Sequence, residues 1–581
     1  MMSTEISSTM LLMQQEMRRY NVPAELLIES ALPSFEIRAK NGKPVIAAPN
    51  ETELLYGVYD YAERFNGWDF FEPGNDAFHP ELIKEFSGDG VIVPAKEKKL
   101  DRVGFIQEFP FSDDAYKTLD WMAKNKANYL MVWMEYYDRM DDKIKEFAAA
   151  RGIIIESGHH NFNYLIPPEK YRKDHPDFFA DTAANRQRQL AGMPEVSRQL
   201  CTTNPALRAE LVKNLRQYHE DHPEVTHLGL NPNDGFGWCE CENCSKLYDK
   251  SSMGDSYCRS EKYYRANGIF NSLIDDVGAQ LHEAAPELKL NFFAYVNYST
   301  PAPGFKLKPG TGVHLALYWR CINHAVNDPK CGINSGYFRD ILAWQKAKAG
   351  GDFNIYEYYM GINFYLAMPM LHFENMFKEI DLYHDCKVNC VSTQFWLENW
   401  SAYGINYYFM VQAARGEKFS DAMERFYTVR FGKMADAARR FYGKLQKILQ
   451  NLGACHIPHV ISFLSRTTIE ELEDLREDAA LIGKICPLLP GSIFPVWVEY
   501  MIRFKKIYDL SLTRRTPAAE VREFLDWILS HQEAKLFVPE RFTTFFKSWF
   551  EDIENGKDWR YFTENDWQTE YDRHPCIAPE V

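Results

Sequence analysis

Acidic side chains close several apolar runs of this chain, and its chemistry can be built around them. Asp234 follows Thr226 to Leu230 within Leu230-Asn231-Pro232-Asn233-Asp234-Gly235. Glu357 follows Phe353 to Tyr356, and Glu398 follows Val388 to Phe395, between Trp396 and Trp400. Glu108 and Glu135 end two earlier runs. Cleavage of a glycosidic bond needs a carboxylic acid to protonate the leaving oxygen, and a carboxylate to attack the anomeric carbon or activate water. The same strand-like runs are followed by His159, His160 and Asn161, by Asn233, by Trp319, Arg320 and His324, and by Tyr358. Aromatic faces beside carboxylates and amides suit a sugar ring, whose C–H faces are apolar and whose edges carry hydroxyls. Arg320 can clamp a carboxylate or sulfate on an acidic or modified sugar, or close an internal salt bridge. Asp-Gly is also a common turn pair. No G-x-S-x-G elbow, Walker loop or H-E-x-x-H pair offers a competing chemistry.

Thiols form the second chemical group. Cys239, Cys241 and Cys244 lie within six residues, directly after Asp234. Three thiolates can hold a structural zinc if Cys258, Cys201 or a histidine supplies a fourth ligand, or they pack the loop as reduced cysteines. Cys321 and Cys331 around His324 make a weaker second set. Catalysis by carboxyl groups requires no cofactor.

These residues must be positioned by elements legible in the pattern. Residues 1–98 read as a small α/β domain, with strand-like runs flanking the hairpin signal Asn41-Gly42 and a helix from Glu51 to Phe65 ending at Asn66-Gly67. Residues 99–417 alternate strand and helix eight times, which predicts a (β/α)₈ barrel with enlarged loops, a doubly wound sheet being the alternative. Residues 418–581 lose strand signals and predict an all-helical domain, with a capping box at Thr468-Ile469-Glu470-Glu471 and an N-cap pair at Thr516-Pro517. In a barrel of this kind the catalytic groups sit after the strands, where the carboxylates above fall.

Composition limits the classes further. Lys+Arg 66 against Asp+Glu 81 gives a net charge of −15 over 581 residues, unsuited to nucleic acid or acidic membranes. No run approaches the ~20 apolar residues of a membrane helix. The N-terminus does not read as a secretory signal, which with 12 cysteines spread from Cys201 to Cys576 outside any small disulfide module predicts reduced thiols and a cytoplasmic protein.

Several segments in order carry a family resemblance: Leu54-Leu55-Tyr56-Gly57-Val58-Tyr59-Asp60-Tyr61-Ala62-Glu63, Phe70-Phe71-Glu72-Pro73-Gly74, Gln199-Leu200-Cys201-Thr202-Thr203-Asn204-Pro205, Asn233-Asp234-Gly235 with the three-cysteine motif, Arg320-Cys321 with His324 and Cys331, and Glu357-Tyr358. They resemble the bacterial, glycosidase-like "domain of unknown function 4838" over roughly residues 35–417. That family is similar in architecture to the α-glucuronidases of glycoside hydrolase family 67 and to β-N-acetylhexosaminidases. The resemblance implies a carbohydrate-active hydrolase with its general acid after the fourth barrel strand, at Asp234. The Asp-Glu pair of the hexosaminidases is not repeated, since Gly235 follows Asp234. The expectation is therefore a glycosidase with Asp234 as acid, Glu357 as base or nucleophile and Glu398 as its substitute. His159, His160, Asn233, Trp319, Arg320, Trp396 and Trp400 would line the sugar site, with His324 and Tyr358 beside them. A carbohydrate-binding barrel without turnover and a metal-dependent hydrolase or lyase are the rivals.

Overall fold

The computed structural model describes residues 7–107, 114–192, 198–253, 264–361, 365–451, 460–485, 493–513 and 518–538. Glu108, Cys258, the Thr516-Pro517 pair and the polar C-terminal stretch lie outside the described residues.

Eight parallel strands close into a barrel in sequence order: β1 (Arg102–Gln107), β2 (Tyr129–Trp133), β3 (Ile154–Gly158), β4 (His227–Gly229), β5 (Lys289–Ala294), β6 (Thr311–Ala316), β7 (Asp352–Glu357) and β8 (Cys390–Phe395). Closure runs through β8 and β1, whose register pairs Cys390 with Arg102 and Phe395 with Gln107. This is the (β/α)₈ architecture that the alternation predicts, and the open doubly wound sheet is excluded.

Ahead of the barrel, Asn41 and Gly42 both take positive φ and turn Glu36–Lys40 back onto Lys43–Ala48, as a two-residue hairpin requires. These strands sit in a four-stranded sheet with Glu25–Ile28 and Gly90–Val93. Helix Glu51–Phe65, capped by the Asn50 side chain on the Glu53 amide, packs on it. A helix at Ser8–Arg19, absent from the sequence expectation, is capped by Ser7. Met13, Tyr20, Ile37, Ile46, Leu54, Val58, Tyr59 and Phe70 form an apolar cluster of their own there. After Ala414 the described residues hold helices and no strand, and Thr468 and Glu471 make the expected capping box. These helices continue the barrel's apolar core instead of enclosing a separate one: Phe426, Phe441, Phe494 and Trp497 join the cluster that holds Phe105 and Phe292.

The barrel interior departs from the usual branched apolar layers. Glu156 of β3 points to the axis, where it accepts hydrogen bonds from Tyr129 of β2 (2.7 Å) and Asn291 of β5, with His314 Nε2 of β6 at 3.2 Å. Burial opposes its charge, but His314 and the hydrogen bonds win and pull Glu156 down to about 2. Below it, Arg102 and Lys289 both donate to Asp352, at 2.8 and 2.6 Å.

Candidate active site

Side chains alternate along a strand, so residues that follow the inward positions of β2, β5, β6 and β7 surround the barrel mouth. They are aromatic, and together with two histidines they close a ring. Trp133 stacks on His159 (centroids 4.6 Å), and His159 meets Tyr356 (6.2 Å). Tyr356 stacks on Tyr358 (4.8 Å), Tyr358 meets Tyr318 (5.3 Å), and Tyr318 meets Tyr295 (5.5 Å). Tyr295 then meets His160 (6.3 Å), which returns to Trp133 (6.0 Å). Beneath the ring, Gln394 of β8 donates to the Tyr356 hydroxyl at 3.0 Å.

The two histidines owe their place to a tight crossing of β3 and β4. A Cβ on Gly158 would fall 2.8 Å from the Gly229 Cα, so only glycine lets the strand ends approach. His159 follows at φ +72°, a left-handed conformation that costs a non-glycine residue energy and is concentrated at functional sites. Burial pushes His159 well below its ordinary pKa, aided by His160 and His314, so its ring is neutral. His160 is lowered too, by burial, with Asp234 opposing. Its Nδ1 lies 2.6 Å from the Pro232 carbonyl and must donate there, which turns Nε2 towards Asp234 Oδ1 at 3.8 Å.

Asp234 itself is 71% exposed, on a loop held from both sides. Asn161 and Asn231 lock the ends of β3 and β4 reciprocally: Asn161 Nδ2 donates to the Gly229 carbonyl (2.6 Å), and the Asn231 amide donates to Asn161 Oδ1 (2.8 Å). Asn233 faces the insertion after β3, donating to the Arg198 carbonyl and accepting the Gln199 side chain on its own carbonyl, both at 2.6 Å. Asn233 is thus a bracket beneath Asp234, whereas the sequence suggested a sugar contact.

Glu357 does not reach the mouth, which corrects its expected role. The strand was expected to stop at Tyr356, but β7 continues through Glu357. Tyr356 faces inward, so Glu357 faces the helix layer. There it is 1% exposed, accepting from Arg320 Nη1 at 2.8 Å and from Tyr383 of helix Phe373–Asp385. Arg320, 2% exposed, also pairs with Glu379 of that helix, so it closes the internal salt bridge and is not available to clamp a ligand. Burial raises Glu379 despite Arg320.

Five more expected site residues are not members of the ring. Trp400 is buried among Trp121, Phe71, Phe395 and Tyr407, where it packs helices onto the barrel. His324 contacts the Cys321 thiol at 3.3 Å and lines a separate cleft with Asn323, Met370, His372 and Gln446. Trp319 is buried, its amide bonded to the Tyr337 hydroxyl, with only its edge against Tyr318. Trp396 is buried directly after β8, and Glu398 is exposed on the short 3-10 turn that follows. His159, His160 and Tyr358 belong to the ring as expected. Trp133, Tyr295, Tyr318 and Tyr356 belong to it too. Glu135, two residues past Trp133, is half-buried, and burial raises its pKa.

Two groups could hold a metal ion. Cys201, Cys239, Cys241 and Cys244 bring four sulfurs within 4.8 Å of one another, and Cys321, His324 and Cys331 bring three ligand atoms equally close. No thiol of either group is in a disulfide.

Among solved structures, the chain is similar to a family 89 glycoside hydrolase from Clostridium perfringens in complex with PUGNAc: TM-score 0.57 at 10% identity, covering 90% of this chain and 65% of that one. A variant from the same organism in complex with its substrate GlcNAc-alpha-1,4-galactose gives 0.56 at 11%, covering 90% and 64%. The β-N-acetylhexosaminidase from Bacteroides fragilis NCTC 9343 gives 0.44 at 10%, covering 73% and 84%. This chain spans slightly less than two thirds of the length of the Clostridium chains, and at these identities the likeness is one of fold: a glycosidase-like barrel. Comparison with curated proteins returned no match. The family described as Domain of unknown function (DUF4838) matches residues 86–443, more than half of the sequence, and the chain belongs to it.

Proposed function

We propose that the protein is a glycoside hydrolase that seats a sugar of an oligosaccharide on the aromatic ring at the barrel mouth and cleaves its glycosidic bond with Asp234 as general acid. One observation carries the reading: Asp234, on the loop after β4, lies 3.8 Å from a histidine of the ring whose other nitrogen is committed to the Pro232 carbonyl. His160, held by the Pro232 carbonyl, keeps its Nε2 facing the carboxyl. The ring presents stacking faces to the apolar side of the sugar.

The second carboxyl role passes from Glu357 to Glu135. Glu135 follows Trp133 of the ring, and a carboxyl that burial raises towards neutrality is the better base. Glu398 is the substitute. The test is hydrolysis of an aryl glycoside panel, including glucuronides and N-acetylglucosaminides, by the wild type and by Asp234→Asn, Glu135→Gln, Glu398→Gln and Glu357→Gln. The expected result is loss of ~10²-fold or more for the first two. If Glu398→Gln is the slow variant instead of Glu135→Gln, the base is at β8. Sugar binding by calorimetry with no cleavage of any glycoside supports a carbohydrate-binding barrel without turnover.

A further inference from the structure

The loop that carries Asp234 ends in Cys239-Glu240-Cys241-Glu242-Asn243-Cys244, and the fourth thiol beside it comes from another segment, Cys201. Cys201 Sγ lies 3.7 Å from Cys241 Sγ and 4.0 Å from Cys244 Sγ. In a tetrahedron of sulfurs about 2.3 Å from a central zinc, each edge is about 3.8 Å. A disulfide would need ~2.05 Å. The arrangement therefore has the spacing of a metal site rather than of two bridges. Cys239 and Cys244 are 1% and 0% exposed, and the Thr203 hydroxyl lies 3.1 Å from Cys244 Sγ, where it can donate to a thiolate.

We propose that Cys201, Cys239, Cys241 and Cys244 form a closed four-thiolate zinc site that clamps the β4 loop to the insertion between β3 and β4. Binding exchanges the thiol protons for one Zn²⁺ and leaves no open coordination position, so the ion is structural and takes no part in the reaction. The clamp joins the two segments that already hold Asp234's neighbour. Gln199, two residues before Cys201, grips the Asn233 carbonyl, and the Glu240 amide donates to the Asp181 carbonyl at 2.7 Å. The second group differs. Among the described residues Cys321, His324 and Cys331 have no fourth ligand, and Cys331 Sγ accepts from the Asn334 amide at 3.4 Å as the cap of helix Gly332–Ala347. That assigns it a packing role and makes it the internal control.

The experiment measures metal in the full chain purified without chelator under reducing conditions. Zinc is quantified by mass spectrometry and by release with a mercurial thiol reagent, and the demetallated protein is titrated with cobalt(II). The wild type is expected to hold about one zinc per chain and to give the visible absorption of tetrahedral cobalt thiolate. Cys201→Ser and Cys241→Ser should lose the zinc and that absorption, while Cys331→Ser keeps both. The cobalt titration of the wild type needs no variant to fold. A wild type that carries no zinc and takes up neither ion after reduction overturns the proposal. So does a Cys201→Ser protein with wild-type zinc content and cobalt spectrum.

Discussion

The ends of β4 and β7 carry the two carboxylates that the sequence pairs, and the barrel treats them oppositely. At β4 the strand stops at Gly229, and a loop held by Asn161, Asn231 and Asn233 carries Asp234 exposed beside His160. At β7 the strand runs on through Glu357. That single extra residue of strand sends the side chain between barrel and helices, where Arg320, Tyr383 and Glu379 surround it. An acidic residue after an apolar run is therefore not yet a catalytic residue. Its function depends on whether the strand has released it, because alternation decides which face it takes.

The difference has measurable consequences, the largest of them in stability. Glu357→Ala leaves Arg320 paired with Glu379 and strips Tyr383 of the Glu357 acceptor. Removing one partner of a buried pair costs about 3–5 kcal/mol, and the remaining Glu379 keeps this case near 3. Asp234→Asn on its exposed loop should cost less than about 0.5 kcal/mol. Urea denaturation of the two variants checks the contrast, and equal losses would erase it.

Acid should act next most strongly, and on the interior rather than the β4 loop. Burial holds His159 well below 6.5 and lowers His227 to about 4. The unfolded chain therefore takes up protons first as the pH falls through 6.5. The stability these neutral rings contribute is complete above 6.5 and drains away towards pH 4, by up to about 1.4 kcal/mol per pH unit for each ring. Glu156 adds a loss from 4.5 down towards its folded value of about 2. Denaturation midpoints at pH 7.5, 5.5 and 4.5 should decline in that order, and a midpoint independent of pH would contradict the burial of these groups.

The smallest effects belong to the ring. Tyr358→Ala or Trp133→Ala should raise KM or the sugar Kd by roughly 1 kcal/mol, about fivefold, with kcat changed less, because a stacking face serves substrate and transition state alike. Trp400→Ala, in the core, should instead lower the melting temperature and leave KM intact. A KM effect at Trp400 alone would move the sugar site away from the mouth.

The sequence carried the barrel clearly. The runs Thr226 to Leu230, Phe353 to Tyr356 and Val388 to Phe395 fall within two residues of β4, β7 and β8, and the eightfold alternation of strand and helix is the one observed. Facing was not legible. A parallel barrel strand is buried on both sides, so the short run Phe353-Asn354-Ile355-Tyr356 does not by itself separate inward from outward members. That ambiguity put Glu357 in the mouth and left Tyr356 outside the expected site. Long-range partners were the other gap. Arg320's salt bridge was one of two readings, but nothing local names Glu379, and Cys201 was one of several candidates to join the three-cysteine motif. The Asp234 turn was legible because its residues are consecutive.

The account rests on Asp234 acting as an acid at the aromatic ring. The most direct measurement is kcat/KM for Asp234→Asn against the wild type on whichever aryl glycoside the wild type cleaves, with leaving groups of high and low pKa. We expect a fall of ~10²–10⁴-fold for poor leaving groups and a much smaller one for good leaving groups that need no protonation, with the fold intact. A fall of less than about 10-fold across all leaving groups would contradict it.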